Sequence, residues 1–545
     1  MKTDVIVEAQ NVTIPGKGIG RRHAAVAVRK WLPYAAVALG SALYLIPFMR
    51  LPIRSLDEGT FLHGAVRVLE GQVPFRDFFE VMGPGTFYWL ALFFKALGAN
   101  WLATRVSLTL SIILTTVLVY FLGRHLGTVF SLFPAIFLLA VSFPSSWPAI
   151  SHHIDSNLFA LSSFAMFVLW LEKGRSIMLF VAGALAGVTT CFLQPKGILL
   201  FLSLLASLWI LCRKETTLIP ALTSVTTGFM MVGLVVVLFF WSAGALSDLV
   251  YANVVWPLTN YTDVNGVPYG YGLQFYWRIW KESLGSALSA AGGICAASFL
   301  AVPFLIIAAL PLLVVLFALR HRPLAFNRVT LPYWMAGSAL WVSEIHRKDI
   351  THLVWGAPIL LILCFHLYSL VPQRFRVQRL ISICVFSLAL VNALVALTTV
   401  DRTMSTRRGT VHTYGGDPAL EFLIAHIRPG EPVFVYPYCP MYYFLSAAQN
   451  PTRFSFLLYQ MNTEAQFREV IQSLEQSKAR YVLWDTAFNR EKFEAVFPNY
   501  RTPPQQELIV EPYLAAHYQQ VAFKGGFRIL ERKAESTVRG VHNAK

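Results

Sequence analysis

The chain has 545 residues, of which 56% are hydrophobic and only 14% are charged, with a formal net charge of +16. Charged residues fall well below the roughly 25% of a soluble globular protein, which excludes an ordinary soluble enzyme and puts the chain in the membrane class. The basic residues sit mostly in short stretches between apolar runs, without interleaved aromatics, so they read as cytoplasmic loops facing anionic lipid; nucleic-acid binding is not expected.

In chain order, residues 1–30 are a polar, cytoplasmic N-terminal segment ending in Arg21, Arg22, Arg29 and Lys30, the pattern of an uncleaved signal anchor. A transmembrane helix needs roughly 20 apolar residues. On that measure, spans are predicted at 31–49, 101–121, 127–143, 156–171, 176–193, 197–212, 217–241, 297–319, 329–344, 353–370 and 380–400, about eleven in all. With the N-terminus inside, the inner loops are Arg124-His125, Glu172–Arg175, Arg213–Glu215, Arg320–Arg322 and Arg374–Arg379. Each is short and basic, as the positive-inside rule requires. The outer segments 50–100, 144–155, 194–196, 242–296, 345–352 and everything after 400 are longer and hold most of the acidic residues. The expected location is a bacterial inner membrane, with residues 31–400 as the transmembrane domain and 50–100 as its first periplasmic loop.

Residues 401–531 change texture. Apolar runs shorten to strand length at Glu431–Tyr436, Arg480–Asp485 and Phe527–Leu530, separated by helical patterns such as Thr463–Gln476. This predicts a small α/β domain on the periplasmic (extracellular) side. Residues 532–545 read as a disordered tail. The six cysteines show no paired spacing, so neither a disulfide framework nor a zinc site is predicted from them.

The first outer loop carries the densest chemistry. Asp57-Glu58 follows the first span directly, and Arg76-Asp77 with Glu80 comes next, among amphipathic segments at Phe61–Leu69 and Thr86–Leu97. The second of these reads as a helix lying on the outer surface. A carboxylate at the membrane boundary can take the proton from an attacking hydroxyl. Equally, Asp57 and Glu58 can be plain helix N-terminal residues favoured by the macrodipole.

Further candidates follow along the chain. Arg105, at the start of the second span, is either a snorkelling anchor or a partner for a loop carboxylate. His152, His153 and Asp155 are spaced closely enough for a metal, but no further ligand group is identifiable, and no metal site is assigned. Lys196 is a phosphate-binding point charge or a snorkelling lysine at a helix end. The aromatics Tyr251, Trp256, Tyr261, Tyr269, Tyr271, Tyr276, Trp277 and Trp280 suit sugar stacking or a membrane interface. Arg347, Lys348, Asp349 and His352 form the densest outer polar turn, where Arg347 can bind phosphate bidentately or pair with Asp349. The aromatic run Tyr436–Tyr443 either contacts an acceptor or packs onto the membrane domain.

Taken in order, these stretches resemble the GT-C glycosyltransferases, in the bacterial branch related to protein O-mannosyltransferases and the lipid A aminoarabinose transferase. The resemblance covers nearly the whole chain. It is carried by Asp57-Glu58 with the VPFRDFFE turn and the following GP, by FLQPKG at Phe192–Gly197, by RKDITHL at Arg347–Leu353, and by the texture of Leu420–Asp485. It implies a polytopic α-helical membrane protein of GT-C type with a C-terminal periplasmic α/β domain. It also implies transfer of a sugar from a polyprenyl-phosphate donor, within membrane lipid, to a glycan, lipid or protein acceptor. Asp57 takes the role of catalytic base and Glu58 that of a supporting carboxylate, while Arg76, Asp77, Glu80, Lys196, Arg347, Asp349 and His352 become candidates for binding substrate or lipid phosphate. Some members carry a Lys two residues after the carboxylate matching Glu80; here that residue is Met82. No cofactor is expected, although the resemblance leaves a divalent metal open. The rival readings are a transporter or flippase of a lipid-linked saccharide, a non-catalytic envelope assembly subunit, and a polymerase or ligase of lipid-linked glycans.

Overall fold

The computed structural model describes residues 18–50, 56–126, 131–142, 149–261, 264–271, 330–370, 402–413, 415–486, 497–501 and 503–534, with single positions at 307 and between 383 and 397. The expected span 297–319, nearly all of 380–400, most of the N-terminal segment, the aromatic stretch after Tyr271 and the tail from 535 fall outside the described residues.

Apolar runs become helices, because lipid offers no partner for free backbone groups. The membrane part runs through α1 (Gly18–Leu45), α2 (Leu56–Leu69), α3 (Gly85–Leu97), α4 (Trp101–His125), α5 (Leu132–Ser142), α6 (His152–Lys173), α7 (Ser176–Phe192), α8 (Gln194–Cys212) and α9 (Leu218–Ser242). Among the described residues, five helices are long and apolar enough to cross a membrane: the segment Trp31–Arg50, α4, α6, α8 and α9. Of the six other expected spans, two fall outside the description. Among the others, α7 has 17 residues, and the expected spans 127–143 and 329–344 are described as α5 and the helix Thr330–Ser343, each bordered by residues outside the description. The sixth, 353–370, is broken into Ile350–Gly356 and Pro358–Leu370. Pro358 explains the break, since it has no N–H to donate and its ring disfavours a helical residue before it.

Burial sorts the helices. Within the bundle 67% of the α6 span is buried, against 11% of α9, so α6 is central and α9 turns an apolar flank outward. That flank exposes Met230, Leu234, Val235 and Leu238, which suits hydrocarbon contact. Close packing of α7 on α9 depends on two glycines. A Cβ on Gly183 would stand 1.9 Å from the Val225 carbonyl oxygen, and one on Gly228 would stand 2.0 Å from that of Phe180. Small residues of this kind let membrane helices approach backbone to backbone.

The C-terminal residues form a hairpin, β1 (Arg402–Thr406) with β2 (Gly409–Thr413), and a four-stranded sheet in the order β3-β4-β6-β5. Its strands are β3 (Val433–Tyr436), β4 (Tyr481–Asp485), β5 (Tyr518–Lys524) and β6 (Phe527–Arg532). β3 and β4 are parallel; the other pairs are antiparallel. The helix Glu464–Ser477 links β3 to β4 in sequence and opens on a capping box, in which Thr463 and Gln466 satisfy each other's backbone N–H groups.

The sheet domain packs onto the first loop. Phe61, Phe78, Phe87 and Phe94 share one apolar core with Leu420, Tyr443, Phe444 and Leu483, and Phe75 and Phe79 share a second with Phe454 and Phe467. The short helix Met441–Ser446 lies against α2 at Gly59, where a Cβ would come within 2.2 Å of the Met441 nitrogen. The apolar segment Trp31–Arg50 runs antiparallel to α4, since Tyr34 near its start packs on Tyr120 near the end of α4, with ring centroids 5.4 Å apart. The starts of α4, α6 and α8, the first loop and the sheet domain therefore gather at one end of the bundle. The basic residues Arg124, His125 and Lys173 lie at the other, where His125 pairs with Glu172.

Candidate functional site

Asp57 and Glu58 occupy the first turn of α2, so the helix-terminal reading of this pair holds. The helix turns the two carboxylates to different surroundings. Asp57 is exposed and accepts a 2.6 Å hydrogen bond at Oδ1 from Tyr438, whose hydroxyl also lies 3.3 Å from Thr60 Oγ1. Glu58 is 1% exposed; it accepts from Arg105 Nη2 at 2.7 Å and from the Ile150 backbone N–H at 2.9 Å. Arg105 is thereby the partner of a loop carboxylate, not a snorkelling anchor, and its guanidinium rests over Trp101 at 4.0 Å. A buried carboxylate with two strong donors is held in place. Glu58 ties the start of α2 to the segment entering α6.

Glu80 is fully buried, in the fields of Asp57 and Arg67 and beside Ser455. Burial pushes its carboxyl up to about 8 against the pull of Ser455 and Arg67, so it carries a proton at neutral pH. Arg76 and Asp77 lie elsewhere. They pair with each other at 2.8 Å on the surface, Arg76 donates to the Ala243 carbonyl at the end of α9 at 2.5 Å, and Asp77 Oδ2 accepts from the Val73 N–H at 2.7 Å. These contacts close a turn and pin the loop to α9. They do not bring the pair to the carboxylates.

His152, His153 and Asp155, expected in a loop, form the first turn of α6 behind the cap Ser151. Lys196, expected in a turn between spans, lies in the first turn of α8 and is completely buried. Its ammonium group stands 2.6 Å from Glu344 Oε1 and donates to Asn157 Oδ1 at 2.9 Å and Ser156 Oγ at 3.1 Å. All three of its protons have acceptors. Glu344 Oε2 lies 3.0 Å from His153 Nδ1, so one buried carboxylate joins α6, α8 and the segment after Thr330–Ser343.

The turn after Glu344 is organised by Asp349. Its carboxylate caps the helix Ile350–Gly356 through the His352 N–H at 2.9 Å, accepts from His352 Nδ1 at 2.6 Å and pairs with Arg347 Nε at 2.6 Å. Burial would raise this carboxyl, but His352 and Arg347 outweigh it and hold Asp349 well below the usual range. Arg347 also donates to Asn265 Oδ1 at 3.0 Å and stacks on Phe497 at 4.8 Å.

The Arg347 turn reaches Tyr261 through Asn265, whose Nδ2 donates to the Tyr261 carbonyl at 3.1 Å. The Tyr261 phenol, raised by its burial, sits in the fields of Arg347, Asp57 and Asp349 together. On the other flank, Phe61 of α2 packs on His152, with ring centroids 5.6 Å apart. The candidate groups are thus one accessible carboxylate, Asp57, one neutral carboxylic acid, Glu80, and the Arg347/His352 turn. Tyr438, Asn265 and Glu344 were not singled out in the sequence, and Tyr261 was marked only as one of a run of aromatics. Glu344 had a signal, an acidic residue at the end of an apolar run, which marks a functional candidate by its cost alone. Tyr438 lay unresolved within the run Tyr436–Tyr443.

No family model matches the sequence, and no curated protein matches it. Solved structures do match. ArnT from Cupriavidus metallidurans, bound to undecaprenyl phosphate, aligns with a TM-score of 0.52 and 12% identity, over 93% of this chain and 99% of that one. The apo oligosaccharyltransferase from Archaeoglobus fulgidus aligns at 0.47 and 12% identity, over 94% and 81%. Both are GT-C glycosyltransferases. The shared fold rests on the first of these, and it is the fold the first-loop resemblance implied.

Proposed function

We propose that the protein is an inverting glycosyltransferase that moves a sugar from a polyprenyl-phosphate carrier to an acceptor hydroxyl at the outer face of the bacterial inner membrane. The observation that carries this reading is Asp57, an exposed carboxylate at the start of α2 aligned by a hydrogen bond from Tyr438. The basic loops at the opposite end of the bundle favour a cytoplasmic position for that end, which leaves the site and the sheet domain on the periplasmic side. The ArnT structure, which shares the fold, holds undecaprenyl phosphate, and this supports a lipid-linked donor.

In the proposed reaction the acceptor oxygen attacks the anomeric carbon as its proton passes to Asp57. The bond from that carbon to the phosphate oxygen breaks, and polyprenyl phosphate leaves with one more negative charge than it had in the diester. A cation at the leaving group is therefore worth more in the transition state than in the ground state. Arg347 fits that role. Lys196, with every proton committed, is assigned to holding Glu344 and the starts of α6 and α8 in register, in place of a direct phosphate contact. A transporter would need polar groups along the bundle, whereas the polar groups described above collect at one end.

The test is to incubate purified protein in lipid nanodiscs with a panel of polyprenyl-phosphate hexoses and pentoses and an extract of envelope acceptors. Release of polyprenyl phosphate from at least one donor is expected. Transbilayer movement of the donors with no release would favour the flippase.

A further inference from the structure

Behind the Arg347 turn lies a cluster that the proposed reaction does not use. The ring nitrogens of His153, His346 and His352 approach within 4.8 Å of one another. The three residues come from different places, the start of α6 and the turn 344–352. Each ring has an acceptor near Nδ1: His346 has the Ser343 carbonyl at 3.1 Å, His352 has Asp349 Oδ1 at 2.6 Å, and His153 has Glu344 Oε2 at ion-pair distance, 3.0 Å. A carbonyl or carboxylate can only accept, so these neighbours favour the proton on Nδ1 and the lone pair on Nε2. This is the outer arrangement of a histidine metal site, where the second nitrogen donates to a carboxylate or carbonyl and so fixes the tautomer and turns the ring.

We infer that His153, His346 and His352 bind a divalent transition-metal ion of the zinc class through their Nε2 atoms. Three neutral imidazoles select zinc, cobalt, nickel or copper over calcium and magnesium, which prefer oxygen ligands. The nearby charges allow a dication: Lys196 is matched by Glu344 and Arg347 by Asp349. His153 is buried, His352 half-buried and His346 exposed, so the site is anchored inside and open on one side. A fourth position there is free for water or an oxyanion, as in zinc sites with three protein ligands. In a tetrahedral site with Zn–N near 2.0–2.1 Å the nitrogens stand roughly 3.3 Å apart, so the rings draw together on binding. The lack of a further ligand near His153 in the sequence was the reason no site was assigned. The fold supplies two from nearly two hundred residues away.

Metal uptake is measured without turnover, so this inference can fail while the glycosyltransferase reading stands, and the reverse. The full chain, carried on a tag without histidine, is stripped with chelator and titrated with Co2+ and Zn2+ in detergent. One equivalent of Co2+ is expected, with the intense visible absorption of a tetrahedral ion, displaced by Zn2+. His346→Ala and His352→Ala should each weaken binding by about tenfold or more. His346 is exposed, so H346A is expected to fold, which circular dichroism and gel filtration check. Failure of the wild-type chain to take up a stoichiometric ion, an octahedral weakly absorbing Co2+ spectrum, or unchanged affinity in folded H346A would overturn it.

Discussion

The hydroxyl of Tyr438, from the C-terminal domain, donates to Oδ1 of Asp57, at the start of the first loop helix, over 2.6 Å. The contact joins residues 381 positions apart and makes the sheet domain part of the site. A hydrogen bond to a charged group is worth about 1.5–3 kcal/mol, or roughly tenfold and upward in rate. Tyr438→Phe is expected to lower kcat by about tenfold or more with little change in donor KM, read from steady-state release of polyprenyl phosphate. An unchanged kcat would mean that Tyr438 only packs.

Glu58 and Arg105 should behave as structure where Asp57 behaves as chemistry. Both side chains are nearly sealed, at 1% and 5% exposure. Removing one partner of a buried pair leaves an uncompensated charge and typically costs about 3–5 kcal/mol. Arg105→Met is expected to lower the melting temperature sharply, and the double variant Arg105→Met with Glu58→Gln to recover part of the loss. Thermal unfolding in detergent checks both.

Much of this was legible in the sequence and some was not, for physical reasons. Apolar length marked the helices, and the strand runs at Glu431–Tyr436, Arg480–Asp485 and Phe527–Leu530 correspond to β3, β4 and β6. β5 was missed because it is an edge strand with mostly exposed residues and no apolar run. The hairpin of β1 and β2 gave no apolar run either. Candidate residues were visible singly because charge is costly near lipid. Their partners were not, since no local periodicity encodes that Lys196 meets Glu344 or that Asp57 meets Tyr438.

Glu80 makes stability depend on pH. Its carboxyl titrates near 8 in the folded protein against an ordinary 4.5. Below 4.5 both states hold the proton; from 4.5 to 8 the unfolded chain loses it first. Stability from this group therefore falls as pH rises through that window, by up to about 1.4 kcal/mol per unit, and levels off above it. Glu80→Gln should flatten the profile and melt higher than wild type at pH ~8.5, measured by scanning fluorimetry across the range.

Gly59 sets how closely the sheet domain sits on α2. A side chain there would meet backbone and side-chain atoms of Met441 at 2.2–2.9 Å, and a backbone cannot swing aside. Gly59→Val is expected to loosen the docking, expose the chain after residue 401 to limited proteolysis and reduce transfer by at least about tenfold. Overpacking of this kind usually costs about 1–3 kcal/mol.

The most direct measurement is donor cleavage by Asp57→Asn beside wild type, in the same nanodiscs and with the donor that wild type uses. The asparagine keeps the size of the side chain and can still face the Tyr438 hydroxyl, but it cannot take a proton. The variant should reach wild-type yield and melting temperature, bind donor with similar affinity and release polyprenyl phosphate at least about a thousandfold more slowly, near the limit set by loss of a general base. Release at a near-native rate from folded D57N would contradict the assignment of Asp57 as the base.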